Sequence, residues 1–365
     1  MKNNYRKLGD YIQPVDIRNS DLKVSHLLGL SIEKCFIESI ANTIGTDFRP
    51  YKIVKKGQFA YGPVTSRNGD KITIALLKEV DVCIISSSYS VFEIIDTSKL
   101  LPEYLMLWFS RPEFDRYARY KSHGSVREIF DWDEMCRVEL PIPDLKEQEK
   151  IVNTYNAITK RIQLKQQINE NLEKMAQCLF EKVKEQSEVG DLKDIATVIM
   201  GQSPDGDSYN ENGDGEIFYQ GKTDFNFRFV KERVYTTLPT KIVSKNSILL
   251  SVRAPVGEIN ITQKKCCIGR GLASITSKNN TPSFLFYTLK SLKKQFEIFN
   301  GDGTVFGSIN RDSIENLQIQ IPDKEQLLLF ESKAVKIDKE ILNNEFEINR
   351  LNELKQLVIS RISGM

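Results

Sequence analysis

The residue types most able to do chemistry sit first at Asp144-x-x-Glu147-Gln148-Glu149-Lys150, which has the carboxylates and lysine of a nuclease cluster. A later copy, Asp323-Lys-Glu325-Gln326, keeps the leading aspartate but lacks the third carboxylate. Helix capping accounts for both copies, and catalysis for neither. Gly221-Lys222-Thr223 matches the tail of a phosphate-binding loop, yet strand-like Ile217-Phe-Tyr219 stands where a flexible cradle is required. Asn300-Gly-Asp-Gly303 resembles part of a calcium loop without the acidic ladder or the terminal glutamate. No Asn/Asp-Pro-Pro-aromatic run for amino methylation and no glycine-rich nucleotide loop after a strand is present. Neither histidine, His26 or His123, has a Ser or Cys partner that the sequence identifies. The six cysteines form no C-x-x-C pair, and a disulfide scaffold would not leave cysteines on apolar runs such as Val82-Cys83-Ile84-Ile85, so the cysteines are expected to be reduced, buried thiols. The chain is expected to catalyse nothing alone and to bind no metal.

Charge is more informative. The 365 residues carry 51 basic and 49 acidic side chains, a net of +2, which excludes a globally basic coat protein. Locally the charge is segregated. Between Arg49 and Lys78 there are seven basic residues and one acidic residue; between Lys222 and Arg270 there are ten and three; residues 128–150 reverse the sign. Aromatics interleave both basic segments. Lysine and arginine bind phosphates, and polar loop tips can read base edges. Arg49, Tyr51, Lys52, Lys55, Lys56, Tyr61 and Arg67 are therefore candidates for nucleic-acid contact in one segment. Lys222, Arg228, Lys231, Arg253 and Arg270 are the candidates in the other.

These segments must be held by a scaffold, and the chain states it twice. Leu140-Pro-Ile-Pro-Asp144-Leu-Lys-Glu147-Gln148 recurs as Ile319-Gln-Ile-Pro322-Asp323-Lys-Glu325-Gln326, with Pro143 and Pro322 179 residues apart. In the same order, Lys7-Leu8-Gly9-Asp10 is answered by Asp191-Leu192-Lys193-Asp194, Leu101-Pro by Thr281-Pro, and Gly124-Ser125-Val126 by Gly303-Thr304-Val305. A unit of that length is too long for a solenoid, so it is a duplicated domain-plus-helix module. After each Pro-Asp, glycine and proline vanish, which predicts helices over about 145–184 and 324–361. Leu327, Phe330, Ala334, Ile337, Ile341, Ile348 and Leu351 keep a 3-4 rhythm with Asn344 on the seam. In the first helix Ile151, Tyr155, Ile158 and Ile162 keep it, then Ile168, Leu172, Met175 and Leu179 resume after a phase slip. The two helices are expected to pair antiparallel and to bury Ile158, Ile162, Leu172, Ile337, Ile341 and Leu351. The remainder reads as two irregular β-rich domains, including strands at Lys71–Leu77, Asp81–Ser86, Ser247–Val252, Lys265–Ile268 and Leu272–Thr276. The expected division is 1–143, a helix within 144–186, 187–322, and a helix within 323–365.

The repeated helix entries Leu140–Gln148 and Ile321–Gln326, the preceding Gly124-Ser125-Val126-Arg127-Glu-Ile129 and Gly303-Thr304-Val305, and the openings Leu8-Gly-Asp10 and Leu192-Lys-Asp-Ile195 resemble DNA-specificity subunits of type I restriction-modification enzymes. The resemblance covers essentially the whole chain. It implies an α+β fold in which two target-recognition domains are separated by two paired antiparallel helices. It implies that each domain reads half of a split double-stranded DNA target, and it adds Ser125, Arg127 and Thr304 to the candidate contacts; Thr223, beside Lys222, is a further candidate. It further implies two methylation subunits and, through the complex, restriction subunits as partners. S-adenosylmethionine, ATP and Mg would be bound by those partners. No apolar stretch approaches a membrane span and no signal peptide opens the sequence, so a cytoplasmic protein is expected. A coiled-coil scaffold whose β-rich domains bind protein is the rival reading.

Overall fold

The computed structural model describes residues 5–39, 44–66, 68–124, 127–185, 187–300 and 307–362. The chain divides into two compact units, Met1–Lys165 with Phe346–Met365, and Gln166–Glu345. The two long helices run Leu145–Lys184 and Lys324–Arg361, so each contributes about half its length to each unit. Their starts are fixed as the sequence predicts: Asp144 Oδ1 accepts from the Glu147 N–H and Asp323 Oδ1 from the Gln326 N–H, both at 2.9 Å. No helix among the described residues is long and apolar enough to cross a membrane.

The first unit is built on an antiparallel sheet in the order Ile12–Val15, Ser90–Ile94, Phe59–Tyr61, Ile74–Leu76. Beside it Lys52–Lys55 pairs with Val82–Ile85. Helices Pro102–Phe109 and Pro112–Lys121 each open on a proline in the first turn, where its missing N–H costs nothing. The sheet and helices close an aromatic core in which Phe59 stacks on Phe92 at 4.9 Å and Phe109 meets Phe114 at 4.7 Å. Buried Ile151 and Val152 of the first long helix, and Ile362 just past the end of the second, join that core. Gln148, fully buried one turn into the first long helix, accepts from the Leu101 N–H and donates to the carbonyls of Lys99 and Pro143.

The second unit repeats the plan with a larger sheet system. Four antiparallel strands run in the order Ala196–Met200, Leu272–Ser277, Ile248–Ser251, Ile259–Ile261. A five-stranded mixed sheet is centred on Glu216–Tyr219, which pairs parallel with Cys266–Ile268. Here Glu331 does what Gln148 does in the first unit: its carboxylate accepts from Ser283 and Phe284 at the start of helix Pro282–Ser291. Burial pushes that carboxyl above its usual range, and the two N–H groups pull the other way. The Leu8 and Leu192 of the repeated opening also behave alike. Both are fully buried, and their N–H groups bond Val138 and Leu317 respectively, at 2.8 and 2.9 Å.

Within each unit the helix halves pair in opposite directions. In the first, Tyr155 lies under Lys355, and Arg161 and Lys165 both bind Glu347. In the second, Asn344 donates to Asn169 at 2.8 Å and Asn169 to Glu345 at 2.7 Å, all three buried. Of the predicted seam residues, Ile162, Ile337 and Ile341 are buried, while Ile158, Leu172 and Leu351 are half-buried. The expected phase slip is absent. Ile168 and Met175 point outward, at 44% and 49% exposure. The seam runs unbroken through Ile158, Ile162, Lys165, Asn169, Leu172, Ala176 and Leu179, all buried or half-buried. The apolar pattern lapses only because polar Lys165 and Asn169 occupy two seam positions. A buried amide pair of this kind fixes register at some cost in stability. Replacing Asn169 by leucine removes the amide that accepts from buried Asn344 and donates to buried Glu345. Urea unfolding should show the second unit weakened by about 1–3 kcal/mol.

Candidate nucleic-acid interface

A cation that binds phosphate must be exposed and not already neutralised. In the first unit that test removes most candidates. Arg49 is exposed but bound to Asp47 at 3.0 Å, and that carboxylate raises its pKa. Tyr51 is half-buried with its ring edge-on to Phe48. Lys52 retains 13% side-chain exposure and pairs with Asp16 at 3.3 Å. Lys56 is exposed, 3.8 Å from Asp81. Tyr61 is a core residue, 1% exposed, whose phenol burial pushes up to about 12, so it makes no DNA contact. Its neighbours Phe59 and Phe92 show why: the aromatics of this strand close the sheet and do not line a groove. Lys55 and Arg127 are exposed with no ion pair among the described residues. Gly124 has φ +137, and a Cβ there would strike the Arg127 carbonyl. The residues after Arg127 are stitched to residues 63–65, where the Thr65 N–H bonds the Glu128 carbonyl and the Phe130 N–H the Pro63 carbonyl. Arg67, Ser125 and Thr304 lie outside the described residues.

The second unit corrects a larger expectation. Arg228 lies between Phe227 and Phe229 in a segment that reads as exposed basic sequence, yet it is 1% exposed. Its guanidinium meets Asp338 of the second long helix at 2.5 Å and Glu173 of the first at 3.6 Å. It also donates to the Tyr287 hydroxyl at 2.9 Å and lies 4.0 Å from the Phe286 ring centroid. Arg228 is a structural tie, not a DNA contact. Nearby cations are also neutralised: Arg233 by Asp224, Lys264 by Glu232 and Lys265 by Glu216.

What remains is concentrated at one place. Gly201, Gly269 and Gly271 let four segments approach more closely than side chains would permit. A Cβ on Gly201 would collide with the Gly269 carbonyl, and one on Gly271 would stand 2.5 Å from the Gln220 carbonyl. The Gly269 N–H bonds Tyr219, Gln202 N–H bonds Ile268, and Val252 N–H bonds Gly271, at 2.8–3.0 Å. The Ser203 hydroxyl accepts from Arg270 N–H at 3.2 Å. This junction gathers Gln202, Gln220, Lys222, Thr223, Arg253 and Arg270, all exposed. Lys222, Arg253 and Arg270 have no ion pair among the described residues, nor does exposed Lys231 farther along the same segment. Sequence reasoning found the cations but missed Gln202, Gln220 and the glycines. The available signal was Gly269-Arg270-Gly271, two glycines flanking an arginine immediately before a strand. The cysteines are all free thiols, but only Cys83, Cys266 and Cys267 are buried as expected; Cys136 is half-buried, and Cys35 and Cys178 are exposed. Among the described residues, no group of three or more His, Cys, Asp or Glu could hold a metal ion.

Comparison with known proteins matches a family model, the type I restriction modification DNA specificity domain, to residues 41–174 and 184–356. A Methanocaldococcus jannaschii protein assigned as the specificity subunit of type I restriction enzyme MjaX is 30% identical over 72% of this chain and 67% of its own length. The Haemophilus influenzae HindI specificity subunit is 22% identical over 85% and 86%. The crystal structure of a type I restriction-modification S subunit from M. genitalium shares the fold, with a TM-score of 0.62 at 13% identity over 98% and 95% of the two chains.

Proposed function

We propose that this chain, which belongs to the family of type I restriction-modification DNA specificity subunits, reads a bipartite double-stranded DNA target and recruits methylation subunits to it. The observation that carries this reading is the double match of the family model, once in the first half of the chain and once in the second. Two recognition domains on one chain imply two half-sites, and their binding free energies add only when DNA presents both at the right spacing. The chain supplies recognition and no catalytic step. Adenine methylation with S-adenosylmethionine, and any ATP- and Mg-dependent cleavage, fall to two methylation subunits and to restriction subunits. Apolar side chains exposed on the long helices favour such docking. Leu164, Ile168 and Met175 follow one face of the first helix at spacings of four and seven, and Phe346, Leu354 and Leu357 are exposed on the second.

The test is co-expression with the cognate methylation subunit followed by methylome sequencing. A split motif with two specified halves and a fixed unspecified gap is the expected result. Methylation of a single uninterrupted motif, or none in an assembled complex, would refute it; the second outcome is what a protein-binding scaffold predicts. Phosphate contacts are tested separately by Lys55→Glu and Lys222→Glu. Each should weaken DNA binding by the complex at every sequence alike and flatten the log-log salt dependence by about one unit. An unchanged slope in both would remove these lysines from the interface.

A further inference from the structure

We propose that the glycine junction is the base-reading head of the second unit, with Gln202, Gln220 and Arg270 reading base edges while Lys222 and Arg253 hold flanking phosphates. The inference rests on the DNA-recognition reading above and deepens it by assigning residues and base types.

Reading a base edge requires a rigid backbone, an exposed side chain, and hydrogen-bonding groups not engaged within the protein. The junction supplies the first. Backbone hydrogen bonds link Gly201, Gln202, Tyr219, Val252, Ile268, Gly269, Gly271 and Leu272, and the glycines leave no room for the segments to be spaced apart. Gln202, Gln220 and Arg270 supply the rest. All three are exposed, and no hydrogen bond or ion pair of their side chains is found among the described residues. Several other polar side chains of this unit are engaged internally. Asn260 donates to Asn226, Lys264 and Lys265 are paired, and Asn210 closes its own turn.

The chemistry of the three side chains then selects the bases. A glutamine amide offers one donor and one acceptor, which match N6 and N7 of adenine in the major groove. An arginine fork offers parallel donors, which match O6 and N7 of guanine. Gln220 and Arg270 are held across from each other by the Gly269 N–H bond to Tyr219 and the contact of Gly271 with Gln220. The half-site read by this unit therefore contains adenine and guanine at neighbouring positions. Lys222 and Arg253 stand on the adjoining strands of chain, where a point charge serves a phosphate.

The experiment uses the full complex with methylation subunits and a panel of duplexes carrying every single-base change in the target. The variants are Gln202→Ala, Gln220→Ala and Arg270→Ala, with Lys222→Ala and Arg253→Ala as internal controls. Each reader variant should lose roughly tenfold to a hundredfold discrimination at one or two adjacent positions of one half-site. The other half-site should be read as before. The two controls should lower affinity for every duplex by a similar factor. Thermal melting of each variant excludes a folding defect, and Gln220→Glu, which cannot donate to N7, reports on readout if Gln220→Ala assembles poorly. Uniform weakening by the reader variants, or unchanged discrimination, would overturn the assignment. If the parent complex itself showed no sequence preference, the proposed function would fail instead, so the two failures are distinct.

Discussion

Arg228→Met should destabilise the second unit by about 3 kcal/mol and leave the first unit unaffected. Arg228 is the one large cation with a fully buried side chain among the described residues, and it compensates carboxylates on both long helices, Glu173 and Asp338. Removing one partner of a buried ionic cluster typically costs 3–5 kcal/mol, because the remaining charges stay in place. Here Glu173 and Asp338 retain 18% and 22% exposure and Glu173 keeps Lys290 at 2.6 Å, so the lower end of that range applies. Calorimetry should resolve the effect as a fall in the second unit's melting transition alone. The triple variant R228M/E173Q/D338N should recover much of the loss, since replacing a whole buried ionic cluster is often nearly neutral. A second transition that did not move in R228M would show that the cluster contributes little. In that event the seating of segment Asn226–Phe229 on the helices would have to rest on Phe229 and its apolar neighbours.

Arg228 also marks where sequence reading stopped. The sign of a side chain is legible, but its partner at a separation of 110 residues is not. Charge density therefore placed Arg228, Lys52 and Tyr61 on a DNA-facing surface, and burial placed them in ion pairs and a core. Features governed by local rules were read correctly. The absence of glycine and proline bounded both long helices, and the capping aspartates fixed their first turns. The repeated Leu8 and Leu192 turned out to be equivalent buried anchors because the same opening serves the same task twice. The first helix shows the boundary between the two cases. Its seam is continuous, yet apolar periodicity alone broke at Lys165 and Asn169, whose partners Glu347 and Glu345 lie on the other helix. The glycine junction was invisible for a similar reason. Four segments far apart in sequence make it, and each glycine looks like an ordinary turn until its neighbours are in place.

Lengthening both long helices should move the gap in the DNA target without changing the sequences on either side of it. Each long helix passes from one compact unit to the other, after Lys165 in the first and after Glu345 in the second, and with one half-site read by each unit the helix length is expected to set the distance between them. Four residues inserted at each of these two points extend each helix by about 6 Å. Matching insertions are needed because the antiparallel halves are clamped on both sides, by Glu347 with Arg161 and Lys165, and by Asn169 with Asn344. An insertion in one helix alone would have to break one of those clamps. Four-residue insertions are absorbed as stutters, so the seam stays closed with a local change of twist. At about 3.4 Å per base pair the permitted gap should grow by one or two base pairs. Methylome sequencing of cells carrying the double-insertion variant would show the two half-sites intact at the new spacing and unmodified at the old one. A passive tether predicts something different, a broadened range of gaps still including the original. Methylation confined to the original gap would mean that the helices do not set the distance, and that spacing is chosen where the methylation subunits meet.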